Sequence, residues 1–242
     1  MCGRLSNGLT WQEIHDLLII IYDDDYKEDW DRDKEDWDSR VEAEASINIG
    51  PTVRIPVVYL RDGKRAVRLM RWGLVPSWSK EIGTYGTHNA KSETVHEKPS
   101  FRGAWKAGRR CIVPATSFFE WKKLDAAGKN KQPYAIGMGN RQPLAFAGLW
   151  EEWTPKGGEA VLSCTIITTT PNELMAGIHD RMPVLVGDED IGRWLGEEKV
   201  SLADAAAMLK PFDTKRMTAW KVSKDVGQVR NQGRKLLEPV AA

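Results

Sequence analysis

Apolar positions along this chain follow two periods, and the change from one to the other outlines its elements. Trp11, Ile14, Leu17, Leu18 and Ile21 fall on one helical stripe, and Thr10-Trp11-Gln12-Glu13 has capping-box spacing, so a helix is predicted over 10–22. From Ile47 onward short strands take over. Ile55–Leu60 and Ala66–Arg71 flank Asp62-Gly63, a hairpin signal. Further strands are predicted at Cys111–Pro114, Phe118–Lys122, Tyr134–Met138, Leu144–Trp150, Val161–Thr169 and Thr218–Val222. Gly128, Gly139-Asn140 and Gly157-Gly158 mark turns between several of them. Short helices are expected at Ser100–Ala107, Asp188–Leu195 and Leu202–Leu209. Many short strands with helices around them predict one α+β domain over 1–242 with a curled, largely antiparallel β-sheet.

One stretch breaks the pattern. Asp23 to Glu44 holds twelve acidic and four basic residues, a local balance of −8 in a chain of net +1, so the remainder carries +9. This acidic insertion, at about 23–45, reads as a solvated face, part helix and part loop. It lacks the Asp-x-Asp-x-Asp-Gly run of a calcium loop. A basic remainder suits a polyanionic partner. Among eleven tryptophans most must be core, leaving some as platforms for bases.

No window approaches the ~18 apolar residues of a membrane span, and no secretory leader is visible, so a cytoplasmic protein with no membrane partner is expected. Three widely spaced cysteines without a CxxC motif argue against a disulfide framework or a structural zinc. No metal and no cofactor are expected. Cys111 and Cys164 lie in apolar runs and read as core.

Candidate chemistry begins at Met1-Cys2-Gly3-Arg4. A small second residue permits removal of Met1, which leaves a terminus bearing an amine and a thiol on adjacent carbons. An aldehyde meets the amine to form an imine, and the thiolate closes a thiazolidine ring. The two groups titrate near ~8 and ~8.5, so both are partly nucleophilic at neutral pH. The plain alternative is an ordinary chain start. Three other clusters mix polar residues with turn formers and aromatics: Thr87–Thr94, Phe118–Lys123 and Gly177–Pro183. Glu120, between Phe119 and Trp121, shares a strand face with Phe118 and Lys122. Apolar neighbours would raise its pKa toward that of a general acid; otherwise it is an edge glutamate paired with Lys122 or Lys123. His179 can move protons near pH 7 or simply cap a turn. Asn89 and Lys91 either orient a substrate or decorate a turn. The Trp72–Trp78 loop either closes the core or wedges between bases. His15, His88 and His96 show no metal-ligand spacing with His179.

Taken in order, these segments resemble the SRAP family (SOS response-associated peptidase). The matching pieces are Met1–Arg4, Asn48–Pro51, Trp72–Trp78, Asn89–Thr94, Arg109–Pro114, Phe119–Trp121, His179–Pro183 and Glu238–Val240. The resemblance implies a barrel-like core. It also implies a DNA damage response protein that senses abasic sites in single-stranded DNA and crosslinks covalently through Cys2. In that reading Asn89 holds the terminus or the sugar, Glu120 shuttles protons, and His179 assists, including in reversal. Arg4, Asn48, Trp78, Lys91, Trp121, Thr168 and Arg181 would contact DNA. The family usually has Asn-Ala-Arg where this chain has Asn89-Ala90-Lys91, which keeps the charge but loses the guanidinium fork. A monomer, nucleoid-associated when on DNA, is expected.

Three rivals stand beside it. Glutamine amidotransferases also begin Met-Cys-Gly, but no glutamine-pocket pattern follows here. A thiol peptidase would use Cys2, His179 and Glu120. A non-covalent single-strand or modified-base binding module would leave Cys2 idle. Cys2→Ala separates them, because only a covalent mechanism loses its adduct while keeping affinity.

Overall fold

The computed structural model describes residues 3–20, 26–83 and 86–240. Cys2, the predicted helix end at Ile21 and Tyr22, and Asp23–Asp25 of the acidic stretch lie outside them. In chain order the first elements are β1 (Leu5–Ser6), α1 (Trp11–Leu18), α2 (Lys27–Glu42), β2 (Arg54–Arg61), β3 (Lys64–Trp72) and β4 (Asn89–Lys91). There follow α3 (Arg102–Lys106), β5 (Arg110–Ala115), β6 (Ser117–Lys123), β7 (Lys131–Met138), β8 (Leu144–Trp153) and β9 (Val161–Thr169). The chain closes with α4 (Glu173–Ala176), β10 (Met182–Pro183), α5 (Ile191–Leu195), α6 (Leu202–Ala207) and β11 (Met217–Lys221).

Five strands close on themselves in the order β9-β3-β2-β5-β8, with β8 returning to β9. All pairings are antiparallel except β3 with β9. Closure removes sheet edges and leaves a dry interior of Val57, Met70, Ile112, Ala147, Leu149 and Ile166. At the β8–β9 seam Gly148 has no substitute: a Cβ there would lie 2.6 Å from the Thr165 carbonyl oxygen and 2.9 Å from Cys111 Sγ. The predicted turn forms at Asp62 and Gly63, both with positive φ (51° and 77°), as a two-residue hairpin demands.

A second sheet, β1-β6-β7-β11, is antiparallel throughout. It is covered on both faces. Phe118 joins the main core, whereas Phe119 packs into a smaller one with Ile47, Ala135, Val222, Val226 and Leu236.

The capping box of α1 is complete: Thr10 Oγ1 accepts from the Glu13 N–H (3.2 Å) and Thr10 N–H donates to Glu13 Oε2 (2.7 Å). Trp11, Ile14 and Leu18 are buried, but Leu17 is exposed, and the helix stops at Ile19 in the left-handed region. The acidic stretch is largely helical and mostly solvated, as read, but it is docked on the barrel rather than loose. Sixteen of its residues form α2, which buries Trp37 and Asp33 completely. Asp33 accepts from Arg54 Nη2 (2.8 Å), Arg68 Nε (2.9 Å) and the Leu69 N–H (2.9 Å), so charge complementarity with the β2–β3 hairpin docks a helix that has little apolar face. Among the described residues no helix is long and apolar enough to cross a membrane, and no cluster of His, Cys, Asp and Glu could hold a metal ion.

Candidate active site

Glu120 is the centre of the site. It sits on β6, flanked by β1 on one side and β7 on the other, so the edge-strand reading gives way: its exposure is 2 %. Burial pushes its carboxyl up to about 7. His179 Nε2 lies 3.7 Å from Glu120 Oε2. The imidazole arrives from the turn after α4, whose end is pinned by the His179 N–H donating to the Met175 carbonyl (2.7 Å). Two groups meet its other nitrogen: the Arg181 N–H donates to Nδ1 at 3.1 Å, and the exposed Asp180 carboxylate lies 2.9 Å away. Burial lowers the His179 pKa against the raising effect of Asp180, which favours the neutral ring near pH 7. A carboxyl that is half protonated at neutrality therefore faces an uncharged imidazole. The pair can hand a proton to an incoming group or take one from it.

The chain start is directed to this place. Leu5 pairs with Phe118, and the Phe119 N–H donates to the Arg4 carbonyl (3.0 Å). Arg4 is thus bonded to the residue next to Glu120. Cys2 itself lies outside the described residues.

The turn containing Arg181 is tied to the Asn89 segment. β9 extends past the barrel, so that Lys91 on β4 and Pro183 on β10 flank Thr168 from opposite sides. Arg181 grips Glu93 with both Nη atoms (2.5 and 2.9 Å) and donates from Nη2 to the Thr168 carbonyl (2.6 Å). That grip holds Glu93 down at about 2. Asn89, 7 % exposed, lies in β4 rather than in a turn. Its neighbour His88 offers a carbonyl to Trp72 Nε1 (2.9 Å), so Trp72 belongs to the core.

Three of the residues expected to touch DNA have partners within the protein. Thr168 is fully buried and Asn48 likewise, while Arg181 has its charge engaged by Glu93. Asn48 is a junction. Its Oδ1 accepts from Arg4 Nη1 (2.7 Å), and its Nδ2 reaches the carbonyls of Val226, Gln228 and Asn231 (3.2, 3.0 and 2.9 Å). Its backbone N–H and carbonyl both bond the Gln232 amide at 3.1 Å. Arg4 also donates to Val226 and stacks over Trp121 at 5.7 Å. By contrast Lys91 and Trp78 face solvent, the latter 65 % exposed with only Nε1 tethered to the Pro99 carbonyl (3.3 Å). Sequence reasoning gave no role to Glu93 or Gln232; their partners lie 88 and 184 residues away, beyond any local spacing. Cys111 and Cys164 are buried, and burial pushes both thiols up, away from nucleophilic use.

A five-stranded barrel, a second sheet carrying a buried carboxyl that meets an imidazole, and Leu5–Ser6 paired beside that carboxyl's strand define one architectural class. Residues 1–229 match the SOS response associated peptidase (SRAP) family, and the chain belongs to it. It is 41 % identical over 240 residues to the abasic site processing protein YoqW of Bacillus subtilis, covering 98 % of this chain and 99 % of that one. It is 33 % identical over 272 residues to the abasic site processing protein HMCES of Gallus gallus, covering 99 % and 78 %. A crystal structure of a Bacteroides thetaiotaomicron protein superposes with a TM-score of 0.81 at 26 % identity, covering 99 % and 100 %.

Proposed function

We propose that this protein processes abasic sites in single-stranded DNA, with Cys2 forming a covalent thiazolidine link to the ring-opened sugar once Met1 is gone. The observation that supports it most is the Glu120–His179 pair, 3.7 Å apart, with Glu120 on the strand that Leu5 and Ser6 flank. The names of the relatives point to the same substrate.

In the proposed sequence the Cys2 amine adds to the aldehyde carbon and gives a carbinolamine. Glu120, in its acid form, protonates the hydroxyl, which leaves as water. The Cys2 thiolate then adds to the imine carbon, and the ring nitrogen keeps one proton. His179 returns a proton to Glu120 or takes one from the sugar, and the same steps run backwards release the adduct. Asn89 orients the terminus or the sugar. Lys91, Trp78 and the Arg4–Trp121 stack meet the strand, while Asn48, Thr168 and Arg181 hold those groups in place. Lyase-type cleavage of the strand belongs to the same imine chemistry. Self-removal of Met1 would use Cys2 as nucleophile with His179 as base.

The test mixes Met1-processed protein with a single strand bearing one abasic site and reads a denaturing gel. A band resistant to denaturation is expected with the wild type, with none for Cys2→Ala and none for an intact strand. A Cys2→Ala adduct of equal yield would overturn the mechanism.

A further inference from the structure

The β6–β7 hairpin tip carries Lys122, Lys123, Lys129 and Lys131, all exposed, against one acid, Asp125. The strand register sets Lys123 directly opposite Lys131, and like charges in that position destabilise a sheet. Among the described residues none of the four lysines makes an ion pair. Asp125 is spent on the loop itself, its two oxygens accepting from the N–H groups of Lys129 (3.0 Å) and Asn130 (2.7 Å). The Lys123 stem lies along Gly128, where even a Cβ would approach its Cδ to 3.3 Å, so this lysine is laid across the turn rather than left free to swing away from Lys131. Lys224 joins the group by donating to Asn130 Oδ1 (3.3 Å). Lys224 opens the short 3-10 turn Lys224–Gly227, whose Val226 carbonyl holds Arg4. The cations thus run from the hairpin toward Arg4. Lys122 follows Glu120 by two residues on the same strand face, about 7 Å along.

A fold gains nothing from this arrangement, whereas a polyanion would relieve it. We infer that Lys122, Lys123, Lys129 and Lys131, with Lys224, form a rail for the backbone phosphates of the strand flanking the sugar held at Glu120. This rests on the single-strand reading above. The rail carries no base readout and acts on affinity and on the rate of encounter, not on the covalent step.

The experiment compares wild type with the quadruple variant Lys122→Gln, Lys123→Gln, Lys129→Gln, Lys131→Gln. A control quadruple at the exposed Lys156, Lys199, Lys210 and Lys215 removes the same net charge elsewhere. Binding of an intact single-stranded oligonucleotide is followed by fluorescence anisotropy over a salt series, and capture is timed at saturating abasic strand. The hairpin variant is expected to lose about 3 from the slope of log K against log salt and on the order of 100-fold in affinity at 0.15 M salt. Its saturated capture rate should move by no more than about fivefold, through the small effect of Lys123 on His179, and its thermal midpoint should rise as the Lys123–Lys131 repulsion goes. An unchanged slope, or an equal loss in the control, overturns the rail. So does a wild type that holds polyglutamate as tightly as the oligonucleotide. If the wild type forms no adduct but the slope still falls, the covalent reading fails and the rail stands.

Discussion

Asp33 on α2 and Glu120 on β6 are both enclosed, at 0 % and 2 % exposure, yet their neighbours differ in kind. Arg54 and Arg68 reach Asp33 at 2.8 and 2.9 Å, Arg32 lies at 3.6 Å, and a backbone N–H completes the cage. Glu120 faces an imidazole at 3.7 Å in place of a guanidinium. Fixed cations cage the first carboxylate, which fastens a helix. Desolvation beside a titratable imidazole lifts the second to about 7, where it can take up or release a proton near neutral pH. Burial alone therefore does not mark a site; the partner's own ability to change charge does.

The strongest way to break this contrast is Glu120→Gln. Capture of an abasic strand should slow by about 10²–10⁴-fold, the range of general acid–base catalysis, with no loss of non-covalent affinity. A rate within tenfold of wild type would remove Glu120 from the chemistry. Asp33→Asn should do the reverse. It leaves the largely covered Arg68 and the exposed Arg54 without the anion they share and should cost about 1–3 kcal/mol in denaturant unfolding, while molecules still folded at low temperature capture normally. Equal stability of the two proteins would show that packing of Trp37, not charge, docks α2.

Titration sharpens the difference. A carboxyl raised from its ordinary 4.5 to about 7 binds a proton more tightly folded than unfolded. Its contribution to stability is present below the unfolded pKa and is lost as pH climbs through about 7, on the order of 3 kcal/mol in full. The wild type should therefore lose stability relative to Glu120→Gln between pH 5 and 8. A gap that stays constant across that window would mean Glu120 is ionised throughout. The smallest effect is expected at Glu93→Gln, which frees the Arg181 guanidinium for phosphate. An exposed pair of this kind is worth up to about 1 kcal/mol, so single-strand affinity should rise at most about fivefold, with the gain fading at high salt. A fall in affinity would make Glu93 a support that Arg181 cannot do without.

Periodicity made α1, the β2–β3 hairpin and the long strands legible, because each satisfies its own pattern over six or more residues. It could not reveal β1, β4 or β10, which are two or three residues long and exist only through their partners on β6 and β9. The docking of α2 was hidden for a related reason: its anchor is an aspartate, and the arginines that satisfy it lie 21 and 35 residues away. Glu120 misled the alternation rule because β6 is covered on both faces, Phe118 in one core and Phe119 in the other. The order of motifs marked the family where single spacings marked nothing. That order could not say that Asn48 and Thr168 are walled in.

The Asn48 junction bears on how the protein matures. Arg4 takes a hydrogen bond partner at Val226, 222 positions downstream, and Asn48 takes one at Gln232. A ribosome adding about 5–20 residues each second needs roughly 10–45 s to supply that stretch. Leu5 can pair with Ile49 and Phe118 well before then, but Arg4 and Asn48 lack these downstream partners throughout that interval. Closure of the hydrogen bonds around Arg4 and Asn48 thus becomes one of the last events of synthesis.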